Sequence, residues 1–337
     1  MKYFIDGYRK VEIIFMKKLK LTLTFVVCLF GLSAHLEAQT YPNRPIKMVV
    51  PFPPGETADI LVRLLGPKMS EKLGQTIVIV NHAGASGIIG MDEIAKASPD
   101  GYTIGIGQVG NLAILPHTKL NLPYNVLRDL TPIAVPGLNY LGIVTTPRAP
   151  FKNLGQMIVW AKEHPGQLTV GTNGEGGFPH LTFEYLSQTA KFQFAHIPYK
   201  GASQIIPDLI GGQIMVSISG VSSQASQISA GNLKLLAITN STRVSTNPDF
   251  PTVAEIFPGW SFSGWLVITG PARMDPVIVS KLNEAINSAL RDPGLQEQLN
   301  QVGLIPVTEP PQFAVELIKT ENAKFAKLVK DIGFKPQ

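Results

Sequence analysis

The stretch from Ile46 to Asp59 limits this chain more than any other. An apolar run, Ile46–Val50, is followed by Pro51, Phe52, Pro53, Pro54 and Gly55, and then by a segment with Ile60, Leu61, Leu64, Leu65 and Met69 on one helical face. A strand that turns through proline and glycine directly into a capped helix leaves the first backbone N–H groups of that helix pointing outward. The helix dipole adds partial positive charge there, so a carboxylate or phosphate can bind without a lysine. The Gly-Lys-Ser/Thr ending of a nucleotide-binding P-loop is absent, which argues against a nucleotide.

The same alternation continues along the chain and predicts α/β layers. Strands are predicted at 46–50, 77–80, 102–106, 141–145, 168–170, 194–197, 214–218, 235–239 and 266–269. The clearest helices are predicted at 59–72, 153–164, 181–189, 203–210, 276–290, 294–302 and 312–332. Turn residues Pro99, Asp100 and Gly101, then His164, Pro165 and Gly166, then Gly211 and Gly212 separate them, with no repeat or low-complexity segment.

The chain opens with a leader. Lys17, Lys18 and Lys20 precede an apolar run over 21–32, and Leu36, Glu37 and Ala38 give a small residue before Gln39, which reads as a secretory signal peptide over 1–38. The run is too short for a durable membrane span. Met16 suits the start of such a leader better than Met1, since 1–15 adds Asp6 and Glu12. Cys28 reads as a hydrophobic leader residue and not a lipid anchor, because Phe25, Val26 and Val27 offer no small residue before it.

Cleavage changes the charge argument. Removing the leader's six bases and three acids from totals of 29 and 24 leaves 23 and 21, so the +5 of the whole chain falls to +2. A nucleic-acid partner is not expected. Without Cys28 the chain has no cysteine, which excludes disulfides, thiol catalysis and thiolate metal sites. About 299 residues remain, enough for two domains.

The ordered series Tyr41, Pro42, Arg44, Pro45 and Ile46; Pro51, Phe52, Pro54, Gly55 and Asp59; Asn81, Gly84, Ala85, Gly87 and Gly90; Pro99, Asp100, Gly101, Tyr102 and Thr103; Pro198, Tyr199, Lys200 and Gly201; Gly211, Gly212 and Gln213; Arg243; Pro251, Thr252 and Glu255 resembles the solute-binding proteins of tripartite tricarboxylate transporters over essentially the whole mature chain. The resemblance implies a two-lobe periplasmic-binding-protein fold of type II, with two crossovers and a carboxylate held in the cleft, partly through waters. Lobe 1 would be 41–140 plus 263–337 and lobe 2 would be 141–262.

The turn carrying Phe52, Pro54, Gly55 and Thr57 is expected to line the cleft, whereas Asp59 fits two roles, a dipole-compatible residue of the first helical turn or a ligand contact. Gly84 and Ala85 lie in a second strand-to-helix turn whose small residues allow close backbone approach. Gly105, Gly107 and Gly110, with Asp129 beyond, match dinucleotide-binding spacing, but Pro116 interrupts the segment after them and the strand is the third, so the match is read as a decoy. Gln108 and Asn111 are instead candidate cleft residues. In the second lobe Thr172, Asn173 and Gly177 belong to another glycine-rich turn that leads into a helix starting near Phe178, where His180 fits either a satisfied helix residue or a ligand contact. Tyr199 and Lys200 follow a strand, and Lys200 fits either a carboxylate-neutralising residue or an exposed hinge-side lysine. Trp260 and Trp265 fit either a core or a cleft wall.

Two acids depart from the family pattern. Glu56 stands where relatives usually carry a second glycine, and Glu175 lies in the turn expected to face it. The default expectation is that both point into water; the alternative is that Glu56 meets a cationic or hydrogen-bond-donating group of the ligand.

No reaction is indicated. The histidines are scattered, with no His-Glu-x-x-His pair for a metal, and Ser86 is one residue short of a nucleophile elbow. The expected function is that of a monomeric, cofactor-free periplasmic receptor that passes a small organic carboxylate to the membrane permease subunits of a tripartite transporter. A ligand-presenting receptor for a membrane sensor, or a hydrolase on the same scaffold, are the alternatives.

Overall fold

The structure is a computed structural model that describes Met16 and residues 41–244 and 247–336. The rest of the leader, with Cys28, lies outside the described residues. The chain from Arg44 onward forms one compact unit.

Strand β1 (Ile46–Val50) leads through the proline turn into helix α1 (Thr57–Leu73), and β2 (Ile77–Asn81) leads through a short 3-10 turn (Ala85–Gly87) into α2 (Ile88–Lys96). Strand β3 (Thr103–Gln108) is followed by a π turn (Gly110–Ile114) and the short helices α3 (Leu115–Thr118) and α4 (Val126–Asp129). Then comes β4 (Leu130–Thr145), sixteen residues long. The middle of the chain is α5 (Leu154–Glu163), β5 (Thr169–Asn173), α6 (Phe178–Ala190), β6 (Ala195–Tyr199), α7 (Ala202–Gly211), β7 (Val216–Gly220), α8 (Val221–Ser229) and β8 (Lys234–Ile238). The chain closes with β9 (Ser263–Pro271), α9 (Pro276–Leu290), α10 (Pro293–Gln301), β10 (Ile305–Pro306) and α11 (Pro311–Asp331).

The strands follow the order β2-β1-β3-β9-β4-β7-β5-β6, with β8 and β10 also pairing with β4. Strand β4 belongs to both halves. Its residues from Leu130 to Tyr140 pair with β9, whereas Leu141 to Thr145 lie between β7 and β8. The chain returns at the same level, since the Phe262 amide bonds the Thr239 carbonyl while Ser263 already pairs with Tyr140. Each half is parallel at its outer edge, β2-β1-β3 in one and β7-β5-β6 in the other. Parallel strands carry their ligand turns at the carboxyl ends. Five such turns follow Val50, Asn81, Gln108, Asn173 and Tyr199, and a direct strand-to-helix junction follows Gly220.

Parallel strands covered on both faces read as continuous apolar runs, which is why most strands are legible in sequence. The 130–140 half of β4 was not expected; Pro132 and Gly137 lie at two register shifts that break its periodicity. Helix α8 was also missed. The dinucleotide-like glycines have packing causes: a Cβ on Gly105 would lie 2.2 Å from Ile94 Cδ1, and one on Gly107 2.5 Å from Leu112 Cδ1. Trp260 and Trp265 are core residues, and Phe325 of α11 meets Phe178 of α6 edge-on at 6.0 Å.

Candidate functional site

The first turn is shaped by Asp59. Its Oδ2 accepts from the Gly55 amide at 2.9 Å and Arg63 Nε at 2.8 Å, and its Oδ1 accepts from Asn81 Nδ2 at 2.8 Å. Asn81 Nδ2 also donates to the Phe52 carbonyl at 3.0 Å, so strand β2 holds the proline turn. Burial pushes the Asp59 carboxyl up, but Arg63, Asn81 and the Gly55 amide outweigh it and hold it below the usual range. These partners engage both carboxylate oxygens within the first sheet half. Gly55 takes φ +83° to aim its amide at Asp59, a conformation that glycine adopts without steric penalty.

The second turn is strained. Ala85, Ser86 and Gly87 take φ of 47°, 56° and 92° in succession, and such backbone clusters at ligand sites. A Cβ on Gly87 would lie 2.8 Å from Asn111 Nδ2 and 3.2 Å from Phe52 Cζ. The turns after β1, β2 and β3 therefore meet at Gly87. Asn111 is fully buried; its Oδ1 accepts from the Gln108 amide at 2.8 Å, which fixes the amide orientation. Asn111 Nδ2 then has no hydrogen-bond partner among the described residues.

Across from these lie the turns of the second half. Thr172 Oγ1 is 2.7 Å from His196 Nε2 and 3.1 Å from the Gly174 carbonyl. The Gly176 amide donates to His180 Nδ1 at 2.9 Å, so the proton of a neutral His180 sits on Nε2. His180 stacks on His196 with centroids 3.7 Å apart, and burial together with His180 pushes His196 down to about 4. Gly177 precedes α6 with no side-chain cap over its amides. Tyr199 donates its hydroxyl to Asp208 at 2.8 Å, while Lys200 is exposed and its amide bonds Gln204 Oε1.

The two sets of turns touch. Ser222 Oγ donates to Thr57 Oγ1 at 2.7 Å, and a Cβ on Gly174 would lie 2.4 Å from Ser86 Oγ. Glu56 makes the strongest crossing: its Oε2 accepts from Asn173 Nδ2 at 2.8 Å and its Oε1 from the Ala202 amide. The expectation that Glu56 points into water is thus overturned, since it is 4% exposed, whereas Glu175 is exposed. Burial pushes the Glu56 carboxyl up to about 7 against both donors, and the Asp59 charge adds to the rise. Sequence reasoning did not single out Ser222 or Ala202 for the site, because only the tertiary meeting of turns distant in sequence reveals them.

Among the described residues no group of three or more His, Cys, Asp or Glu could hold a metal ion, and no helix is long and apolar enough to cross a membrane.

Turns from the parallel edges of two sheet halves, meeting across a cleft under a strand shared by both, define a two-lobe solute-binding fold. The chain belongs to the family described as tripartite tricarboxylate transporter family receptors, which matches residues 61–334. It is 34% identical over 326 residues to Protein BugT of Bordetella pertussis, covering 95% of this chain and 99% of that one. Its fold superimposes on the periplasmic binding protein BugD with TM-score 0.84 at 30% identity, covering 88% of this chain and all of that one. Rpa4515 of R. palustris, solved with adipate, gives TM-score 0.85 at 29% identity, covering 88% of this chain and 100% of the other.

Proposed function

We propose that this protein is an exported receptor that captures a small organic carboxylate in its cleft and delivers it to the permease subunits of a tripartite transporter, without catalysing a reaction on it. The leader over 1–38 would be removed and the monomeric receptor would work in the periplasm. Lobe 1, residues 41–140 and 263–337, would close on lobe 2, residues 141–262, about the strand switches at Tyr140 and Phe262. The observation that carries this reading is Asn111 Nδ2, a fully buried donor without a partner among the described residues, set where three strand-end turns converge. A buried donor left unpaired costs about 1–3 kcal/mol, and a ligand oxygen would recover it. The adipate of Rpa4515 supports a carboxylate as the source of that oxygen.

In this reading Phe52, Pro54, Gly55, Thr57, Gly84, Ala85, Gln108 and Asn111 line the first wall, and Thr172, Asn173 and Gly177 the second. Asp59, Tyr199 and His180 act by shaping their turns. A thermal-shift screen of the leaderless protein against a carboxylate panel tests it: a ligand at a hundred times its dissociation constant adds about 2.7 kcal/mol of stability. A panel of mono-, di- and tricarboxylates that leaves the melting temperature unchanged would contradict it.

A further inference from the structure

Glu56 is the residue before α1, yet its side chain makes no capping bond to that helix. It reaches instead to the second lobe, where Asn173 Nδ2 and the Ala202 amide donate to its two oxygens. These donors come from the carboxyl ends of the neighbouring parallel strands β5 and β6, and Ala202 is the first residue of the ten-residue helix α7. Such a place attracts anions through its free amides and dipole. The approach depends on Gly201, because a Cβ there would lie 2.7 Å from Glu56 Oε1. The second lobe's anion seat is therefore filled by a carboxylate of the chain itself.

Two polar atoms of the described residues at the cleft are left buried and unpartnered: Asn111 Nδ2, a donor, and Asn173 Oδ1, an acceptor. A ligand that satisfies both brings an acceptor to the first lobe and a hydrogen-bond donor to the second. A dicarboxylate brings acceptors to both ends, and its second charge meets Glu56.

We infer that Glu56 is a resident carboxylate that sets the specificity of this receptor, excluding a second ligand carboxylate from the Asn173 and Ala202 seat and selecting acids with one carboxylate and a hydrogen-bond-donating far end. This rests on the carboxylate reading above. It differs from a merely structural role for Glu56 in predicting an exchange of ligand preference on substitution.

The test compares adipate with omega-hydroxyhexanoate, which replaces one carboxylate by a hydroxyl at similar length. Calorimetry on the parent should show omega-hydroxyhexanoate bound at least about tenfold more tightly than adipate. Glu56→Gly should reverse that order, with adipate gaining at least about tenfold, and Glu56→Gln should lie between. Equal affinity of the parent for both acids, or a ratio unchanged in Glu56→Gly, overturns the inference.

A second readout needs neither acid. In the amide NMR spectrum of Glu56→Gly, added acetate should move the Ala202 backbone and Asn173 side-chain signals, while the same signals of the parent stay in place. Absence of that response in the folded variant overturns the inference. Its presence, with no acid of the mono-, di- and tricarboxylate panel binding parent or variant, supports the seat and overturns the carboxylate-receptor reading instead.

Discussion

Burial of Glu56 makes stability depend on pH in a calculable way. Burial raises its carboxyl to about 7 in the folded chain, against 4.5 for an ordinary glutamate. Between these values the folded protein holds more protons than the unfolded chain, so stability falls as pH rises and the loss is complete just above 7. The gap implies up to about 3 kcal/mol, and little of it is screened, because the side chain is 4% exposed. Glu56→Gln keeps the shape but cannot ionise. The assay is urea unfolding of parent and Glu56→Gln at half-unit steps from about pH 4 to 8, read as the difference between the two proteins, which cancels the other titrating groups. The parent should lose about 2–3 kcal/mol relative to the variant across that window. If the lobes part before the chain unfolds, the loss stops at the cost of opening, and small-angle scattering should then show a larger radius of gyration above pH 7 in the parent alone. Parallel curves with unchanged scattering would refute the burial argument.

His196 acts with the opposite sign. Burial and His180 hold its imidazole near 4 instead of 6.5, so the folded state binds fewer protons in that window and loses stability as pH falls through it. Partial exposure reduces the effect to roughly 1–2 kcal/mol, and His196→Gln should flatten the acid side of the stability profile by that amount; an unchanged profile would count against it. At Gly55 a Cβ meets nothing within 4 Å, so Gly55→Ala should cost only the backbone penalty of φ +83°, about 1 kcal/mol by denaturation. Gly87→Ala should cost more and also weaken ligand binding, since its Cβ would crowd Asn111 Nδ2 at 2.8 Å; equal costs for the two would undo the contrast. Asp59→Asn should release the turn after β1, lowering stability by about 1–2 kcal/mol and carboxylate affinity together, and a loss of stability with unchanged affinity would separate the turn from the site.

The strand-turn-helix unit at 46–73 and the strand and turn at 77–87 were legible because each pairs an apolar run with a glycine-bearing turn, signals that survive without tertiary context, whereas the bounds of the helix Ile88–Lys96 were not legible. Strand β4 was half legible. Its apolar part, Leu141 to Thr145, reads as a strand, while the bulged stretch through Pro132 and Gly137 follows no single period. Helix α8 has four serines and two glutamines among its nine residues, and so presents no apolar face to the eye. At the site, backbone turns were foreseen better than side chains. Asp59 was placed in the right turn, but that its oxygens answer Gly55, Arg63 and Asn81 depends on how β2 lies beside β1. Glu56 looked like a solvated loop acid because the donors that bury it lie more than a hundred residues further along.

The proposed receptor holds a ligand carboxylate where the turns after β1, β2 and β3 converge. A crystal structure of the leaderless protein with the tightest-binding acid of the panel measures this directly. A ligand carboxylate oxygen is expected within hydrogen-bonding distance of Asn111 Nδ2, between the 51–57 and 84–87 turns, with the lobes closed over it. An acid bound outside the cleft, or within it with Asn111 Nδ2 still unpaired, would overturn that placement.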